Sequence, residues 1–136
     1  MEKPILISGL RKSGTSLVKS LLDNHPDLFV FPPNELHLFR YTAHPALVKD
    51  KLARLENPEE LLHALGINSF IKRMGDKTGE YYQPEFDLEA FHELIRSGQP
   101  GNEKEVYTLL FQAMYASLYG EDLPQGLRCV SKTVLE

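Results

Sequence analysis

Residues 4–31 read PILISGLRKSGTSLVKSLLDNHPDLFVF, and this stretch decides the fold. Pro4 to Ser8 is a short apolar run without alternation, the pattern of a strand covered on both faces. Gly9 to Gly14 is a loop with glycine at each end. Thr15 to Asp23 predicts a helix, because Leu17, Val18, Leu21 and Leu22 recur at helical spacing. His25-Pro26-Asp27 closes that helix, since proline cannot continue it. Leu28 to Phe31 predicts a second buried strand, broken by Pro32-Pro33-Asn34. Strand, loop, helix, strand is a βαβ unit, and strands joined through a helix run parallel. The fold class expected is therefore α/β with a short parallel sheet.

Outward from this unit the chain turns helical. Pro45 to Leu55 predicts one helix. Asn57 as N-cap, Pro58 at the first position and Glu59-Glu60 in the first turn predict another, stopped by Gly66. Ile67 to Met74 is a further short helix, and Gly75 to Pro84 a polar loop. Asp87 caps a helix that runs to Ser97. Asn102 caps one that runs to Tyr119, with Val106, Leu109, Leu110, Ala113, Met114 and Leu118 as its core stripe. Leu127 to Ser131 is a third short strand. The expected organisation is one domain over residues 1–136, with a helical segment over 45–120.

The 136 residues suit a single domain, and 42% hydrophobic content excludes wholesale disorder. A net charge of −4 gives no general footprint for nucleic acid or membrane surfaces. Residues 1–44 hold five basic and four acidic side chains against ten and fifteen in the remainder, so the first part is free to attract an anion. One cysteine, Cys129, excludes an intrachain disulfide or a multi-thiolate metal site. No run approaches the ~20 apolar residues of a membrane span, and Met1 to Ile7 is not a secretory leader. A soluble, cytoplasmic chain is expected, with neither nucleic acid nor membrane as a partner.

The informative segment is Gly9-Leu10-Arg11-Lys12-Ser13-Gly14-Thr15-Ser16. Against the phosphate-binding pattern G-x-x-x-x-G-K-[ST], Gly9, Gly14 and Ser16 match, whereas Thr15 occupies the lysine position and Lys12 lies inside the loop. The placement supplies the chemistry. N–H groups at a helix start have no intrahelical partner, the helix dipole adds positive charge, and Ser13, Thr15, Ser16 and Lys12 add donors. Such a loop cradles a phosphate or a similar oxyanion. The absent lysine at position 15, with no aspartate-terminated Walker-B-like strand, weighs against a magnesium-dependent kinase. A nucleoside or small-molecule kinase nonetheless stays as an alternative, as does a non-catalytic remnant.

Arg11-Lys12-Ser13-Gly14-Thr15-Ser16-Leu17, followed by a helix that ends in His25-Pro26, resembles the sulfotransferases, in a style like the bacterial, heparan and tyrosyl-protein branches. The resemblance implies a P-loop-like three-layer fold and 3′-phosphoadenosine 5′-phosphosulfate (PAPS) as donor, without a metal. It implies that Arg11, Lys12, Ser13, Gly14, Thr15, Ser16 and Leu17 bind the donor, with Lys12 on the bridging or sulfonate oxygens and Ser13, Gly14, Thr15 and Ser16 holding the 5′-phosphate. Glu35, just after the second strand, is similar to the family's proposed catalytic base. Read from the residues alone, it is either that base or a glutamate opening a helix, with His37 as an alternative base. His44, His63 and His92 have no matching context. Val130-Ser131-Lys132-Thr133 looks like a family element that aims a lysine into the active site, with Val134 where proline is expected. Lys132 is then either a catalytic group or a solvated terminal lysine.

The resemblance covers the N-terminal portion of a typical family domain. The residues that clamp the 3′-phosphate would lie past Glu136, so the chain is expected to be truncated relative to the family, with activity impaired. The expected partners are a small-molecule, glycan or peptide acceptor carrying a hydroxyl or amine. A second copy of the chain, joined through the exposed sheet edge, is a further expectation. Tyr81-Tyr82 and Phe70 to Arg73 are expected to pack rather than to bind.

Overall fold

The computed structural model describes residues 3–10, 12–32, 60, 62–63, 65–100 and 103–135. In chain order these form β1 (Ile5–Leu10), α1 (Thr15–Leu22), β2 (Leu28–Val30), α2 (Asn68–Gly75), α3 (Leu88–Ser97), α4 (Glu103–Tyr119) and β3 (Arg128–Leu135). The architecture is α/β: a three-stranded parallel sheet and, among the described residues, four helices. The chain divides into two compact units. Met1–Leu36 with Pro124–Glu136 carry the sheet and α1, and His37–Leu123 carry α2 to α4. The expected helix at Pro45 to Leu55, the caps at Asn57 and Asn102, and His44 lie outside the described residues.

In the sheet unit, the strand order is β1-β3-β2, with both pairings parallel. The two strands of the βαβ unit therefore run parallel as expected, yet β3 from the end of the sequence lies between them. Ile5 to Leu10 pair with Val130 to Leu135, and Leu28 to Val30 with Arg128 to Val130. The expected strand at Leu127 to Ser131 is in fact longer. Pairing with all of β1 satisfies its backbone well past Ser131, which carries the polar Ser131-Lys132-Thr133 run into the sheet. Phe31 N–H donates to the Val130 carbonyl at 2.8 Å, and Arg128 N–H to the Asp27 carbonyl at 3.0 Å, so β2 is held beyond its own ends. Phe29, Phe31, Cys129 and Val130 are buried. β1 is not covered on both faces: Ile5, Ile7 and Gly9 are half-buried, while Leu6, Ser8 and Leu10 are exposed. Among the described residues it is an edge strand, and its two faces differ.

In the helical unit, the Asp87 side chain accepts from Ala90 N–H at 2.9 Å and caps α3 as its sequence predicts. Asp87 N–H in turn donates to the Ser117 carbonyl near the end of α4 at 2.9 Å. α3 buries Phe91 and Ile95, one turn apart. From the predicted α4 stripe, Val106, Leu110, Ala113 and Met114 are buried, and Leu109 and Leu118 half-buried. Ile71 and Met74 of α2 are buried, and the Phe86 and Phe91 rings lie 5.7 Å apart. Burial of each such side chain stabilises by about 1.5–3 kcal/mol. Phe70, Arg73 and Tyr81 pack on one another: the Arg73 Cζ stands 4.6 Å from the Tyr81 ring centre and 5.8 Å from that of Phe70.

Candidate functional site

The turn from β1 into α1 is built on alternating backbone handedness. Lys12 has φ 63 and Gly14 φ 88, while Ser13 between them is not left-handed. Such alternation curls the main chain so that successive N–H groups face one concavity. Gly14 is the N-cap of α1, and no side chain caps that end. Glycine suits the position because a Cβ disfavours the left-handed region. Lys12 holds the same conformation with a Cβ, at a cost of about 1–2 kcal/mol. Backbone outliers of this kind collect where a loop grips a ligand.

Ser13 N–H closes the turn on the Leu10 carbonyl at 3.1 Å, and the first helical bond runs from Val18 N–H to the Gly14 carbonyl at 3.1 Å. The N–H groups of the turn before Val18 have no acceptor within the helix, and the helix dipole adds to their positive character. The loop also folds back closely over the end of β1. A Cβ on Gly9 would stand 2.6 Å from Ser13 Oγ and 2.9 Å from Thr15 Cγ2. Within the expected anion loop, Lys12, Ser13, Gly14, Ser16 and Leu17 are exposed, and Thr15 is buried. Arg11, Glu35 and His37 lie outside the described residues.

Lys132 belongs to this site by contact. It lies within β3 opposite Ile7, is only 3% exposed, and donates from Nζ to Ser16 Oγ at 2.7 Å. A solvated terminal lysine is excluded.

A second buried lysine was not among the residues singled out from the sequence. Lys19 is 8% exposed and shares the buried face of α1 with Thr15, four residues earlier. Its Nζ donates to the Pro32 carbonyl, just beyond β2, at 3.4 Å. Burial, followed by the charge of Lys132, lowers its pKa to about 8, and Asp23 partly opposes them. The apolar spacing of α1 gave the wrong inward face: Leu17, Val18 and Leu21 are 64%, 47% and 74% exposed. The only signal in the sequence was the four-residue step from Thr15 to Lys19, meaningful once the packing face is known.

Burial pushes the Cys129 thiol up to about 12, with a smaller opposing effect from the N-terminal ammonium, so it is no nucleophile near neutrality. His63 is exposed, and the half-buried His92 lies with its ring centre 6.3 Å from that of Phe91.

Residues 4–120 match the family described as the sulfotransferase family. No curated protein and no solved structure matches the chain. Lys132 lies beyond the matched residues, so its place at the loop is an independent structural observation.

Proposed function

Since this chain belongs to the sulfotransferase family, we propose that it transfers a sulfuryl group from PAPS to a hydroxyl or amine acceptor. The observation that carries this reading is the curled turn at Lys12 to Gly14, with buried Lys132 bonded to Ser16 beside it. A helix start that no side chain caps, an exposed ammonium and the hydroxyls of the loop fit an anionic ester group. When bound, the donor supplies the sulfuryl group and departs as adenosine 3′,5′-bisphosphate.

The roles of the chain's own residues follow. Ser13, Gly14, Thr15 and Ser16, through their main-chain N–H groups and the three hydroxyls, hold the 5′-phosphate. Lys12 balances the negative charge that grows on the leaving oxygen. Lys132 orients Ser16 and adds positive charge from below. Glu35 takes the proton from the acceptor. Positioning and electrostatics do the work, as in phosphoryl transfer. Family membership favours this reading over the ATP-dependent kinase alternative. The acceptor is a small molecule, a glycan or a peptide, and β1, an edge strand among the described residues, offers a second copy a place to pair. No helix among the described residues is long and apolar enough to cross a membrane. A single buried thiol suits the reducing cytoplasm, where we place the reaction.

The test is thermal unfolding with adenosine 3′,5′-bisphosphate, beside turnover with PAPS. Ligand at 100 times its Kd stabilises by about 2.7 kcal/mol, which raises Tm by several degrees. Lys12→Ala is expected to weaken this binding and to lower turnover about 10²–10³-fold. A folded wild-type protein whose Tm does not respond refutes the donor site and favours the remnant. Binding without turnover confines the function to nucleotide binding.

A further inference from the structure

Within the helical unit, α4 carries two kinds of row. Val106, Leu110, Ala113 and Met114 form its buried stripe. Lys104, Thr108 and Gln112 recur every four residues, so they stand in one line along the helix, about 12 Å from end to end. That line borders a hollow of about 580 Å³, which Gly98, Gln99 and Pro100 at the end of α3 also line. The volume is that of a small-molecule cleft. One part of its wall is fixed by close packing. A Cβ on Gly98 would stand 2.4 Å from Leu109 Cδ1 and 2.6 Å from Leu109 Cδ2, so the backbone settles on that side chain only because residue 98 has none.

The polar part of the lining is not spent on the protein itself. Among the described residues, the side chains of Gln99, Lys104 and Gln112 make no hydrogen bond or ion pair. Thr108 Oγ1 donates to the Lys104 carbonyl at 2.9 Å. A primary amide both donates and accepts, an ammonium donates, and a hydroxyl oxygen accepts. Lys104 and Glu105 carry opposite charges, so together they present no net charge to the hollow. Leu109 and Pro100 supply the apolar part, and no aromatic ring lines the hollow among the described residues.

Most small-molecule clefts are apolar with a few polar groups. This one reverses the proportion. It suits a ligand that is uncharged, polar along its length and able to donate and accept at many points. Sugars have that chemistry: every hydroxyl does both, and the ring C–H groups offer an apolar patch to Leu109 and Pro100. An anion would meet one cation and one carboxylate there, with no net attraction. We propose that the groove between the end of α3 and α4 binds a neutral saccharide of disaccharide size, held by Gln99, Lys104, Thr108 and Gln112. The site shares no residue with the anion loop and stands whether or not the chain transfers sulfuryl groups.

The experiment is titration of the full, nitrogen-15-labelled chain with cellobiose and with maltose, followed by amide NMR. The side-chain amides of Gln99 and Gln112 give signals of their own, so the groove is read directly. With at least one of the two sugars, shifts should be confined to residues 98–112 and saturate in the millimolar range. Gln112→Ala should raise Kd about 3–10-fold, the worth of one hydrogen bond, and Gln99→Ala with Gln112→Ala by more than about tenfold. Lys77→Ala, on the loop after α2, should bind as wild type. All these side chains are exposed, so the variants should fold, and their unchanged backbone spectra establish it. Absence of shifts with both sugars overturns the proposal, as does a double variant that binds as wild type. Triglycine that shifts the same residues while the sugars do not assigns the groove to a peptide and overturns it too. Glucuronate that binds more tightly than either sugar refutes the neutral ligand. None of these outcomes touches the donor reading, which is tested at Lys12 with the bisphosphate.

Discussion

α1 and α3 are short helices of eight and ten residues, both amphipathic in sequence, and they bury opposite chemistry. α3 buries Phe91 and Ile95, and its Asp87 cap ties it to the end of α4. α1 buries Thr15 and Lys19 and leaves Leu17, Val18 and Leu21 exposed. The face that α3 turns inward is the one its hydrophobic spacing selects. The phase of α1 is instead set by the turn that precedes it. Left-handed Lys12 and Gly14 fix the direction in which the helix leaves β1, and the side chains fall where that direction puts them. Burial of Phe91 lowers the free energy of the fold, whereas burial of an ammonium raises it.

The sharpest way to break this comparison is Phe91→Ala. Loss of a fully buried ring should cost about 3–5 kcal/mol, read from denaturant unfolding. A loss below 1 kcal/mol would show that α3 is no more committed to its apolar face than α1. Lys19→Met should act in the opposite direction. A lowered lysine pKa means that the unfolded chain binds more protons between about 8 and the ordinary 10.5. Wild-type stability relative to the variant is therefore lowest below pH 8 and recovers as pH rises toward 10.5. At pH 7 the methionine variant should be more stable by about 1–3 kcal/mol, with the gap closing in alkali. Equal stability across that range would mean that the fold imposes no charge penalty at this position. The smallest effect is expected for Leu21→Ala, within about 0.5 kcal/mol, because that side chain is mostly exposed. A loss of 2 kcal/mol or more there would mean that the apolar face of α1 is buried in solution.

Residue pattern alone determined much of this protein. The strand–loop–helix–strand opening, the parallel sense of the sheet, the Asp87 cap and the α4 stripe all follow from interactions between near neighbours in the chain, which sequence spacing reports directly. So does the tight turn into α1, because Leu10, Lys12, Ser13 and Gly14 are neighbours in the chain. Tertiary structure alone decided the rest. It put β3 between β1 and β2, extended that strand through Lys132, and turned Lys19 inward with Leu17, Val18 and Leu21 outward. Lys132 meets Ser16 across 116 positions of sequence, and no local periodicity encodes a contact of that range. The inward face of α1 depends on the backbone angles of the turn before it, which hydrophobic spacing does not carry.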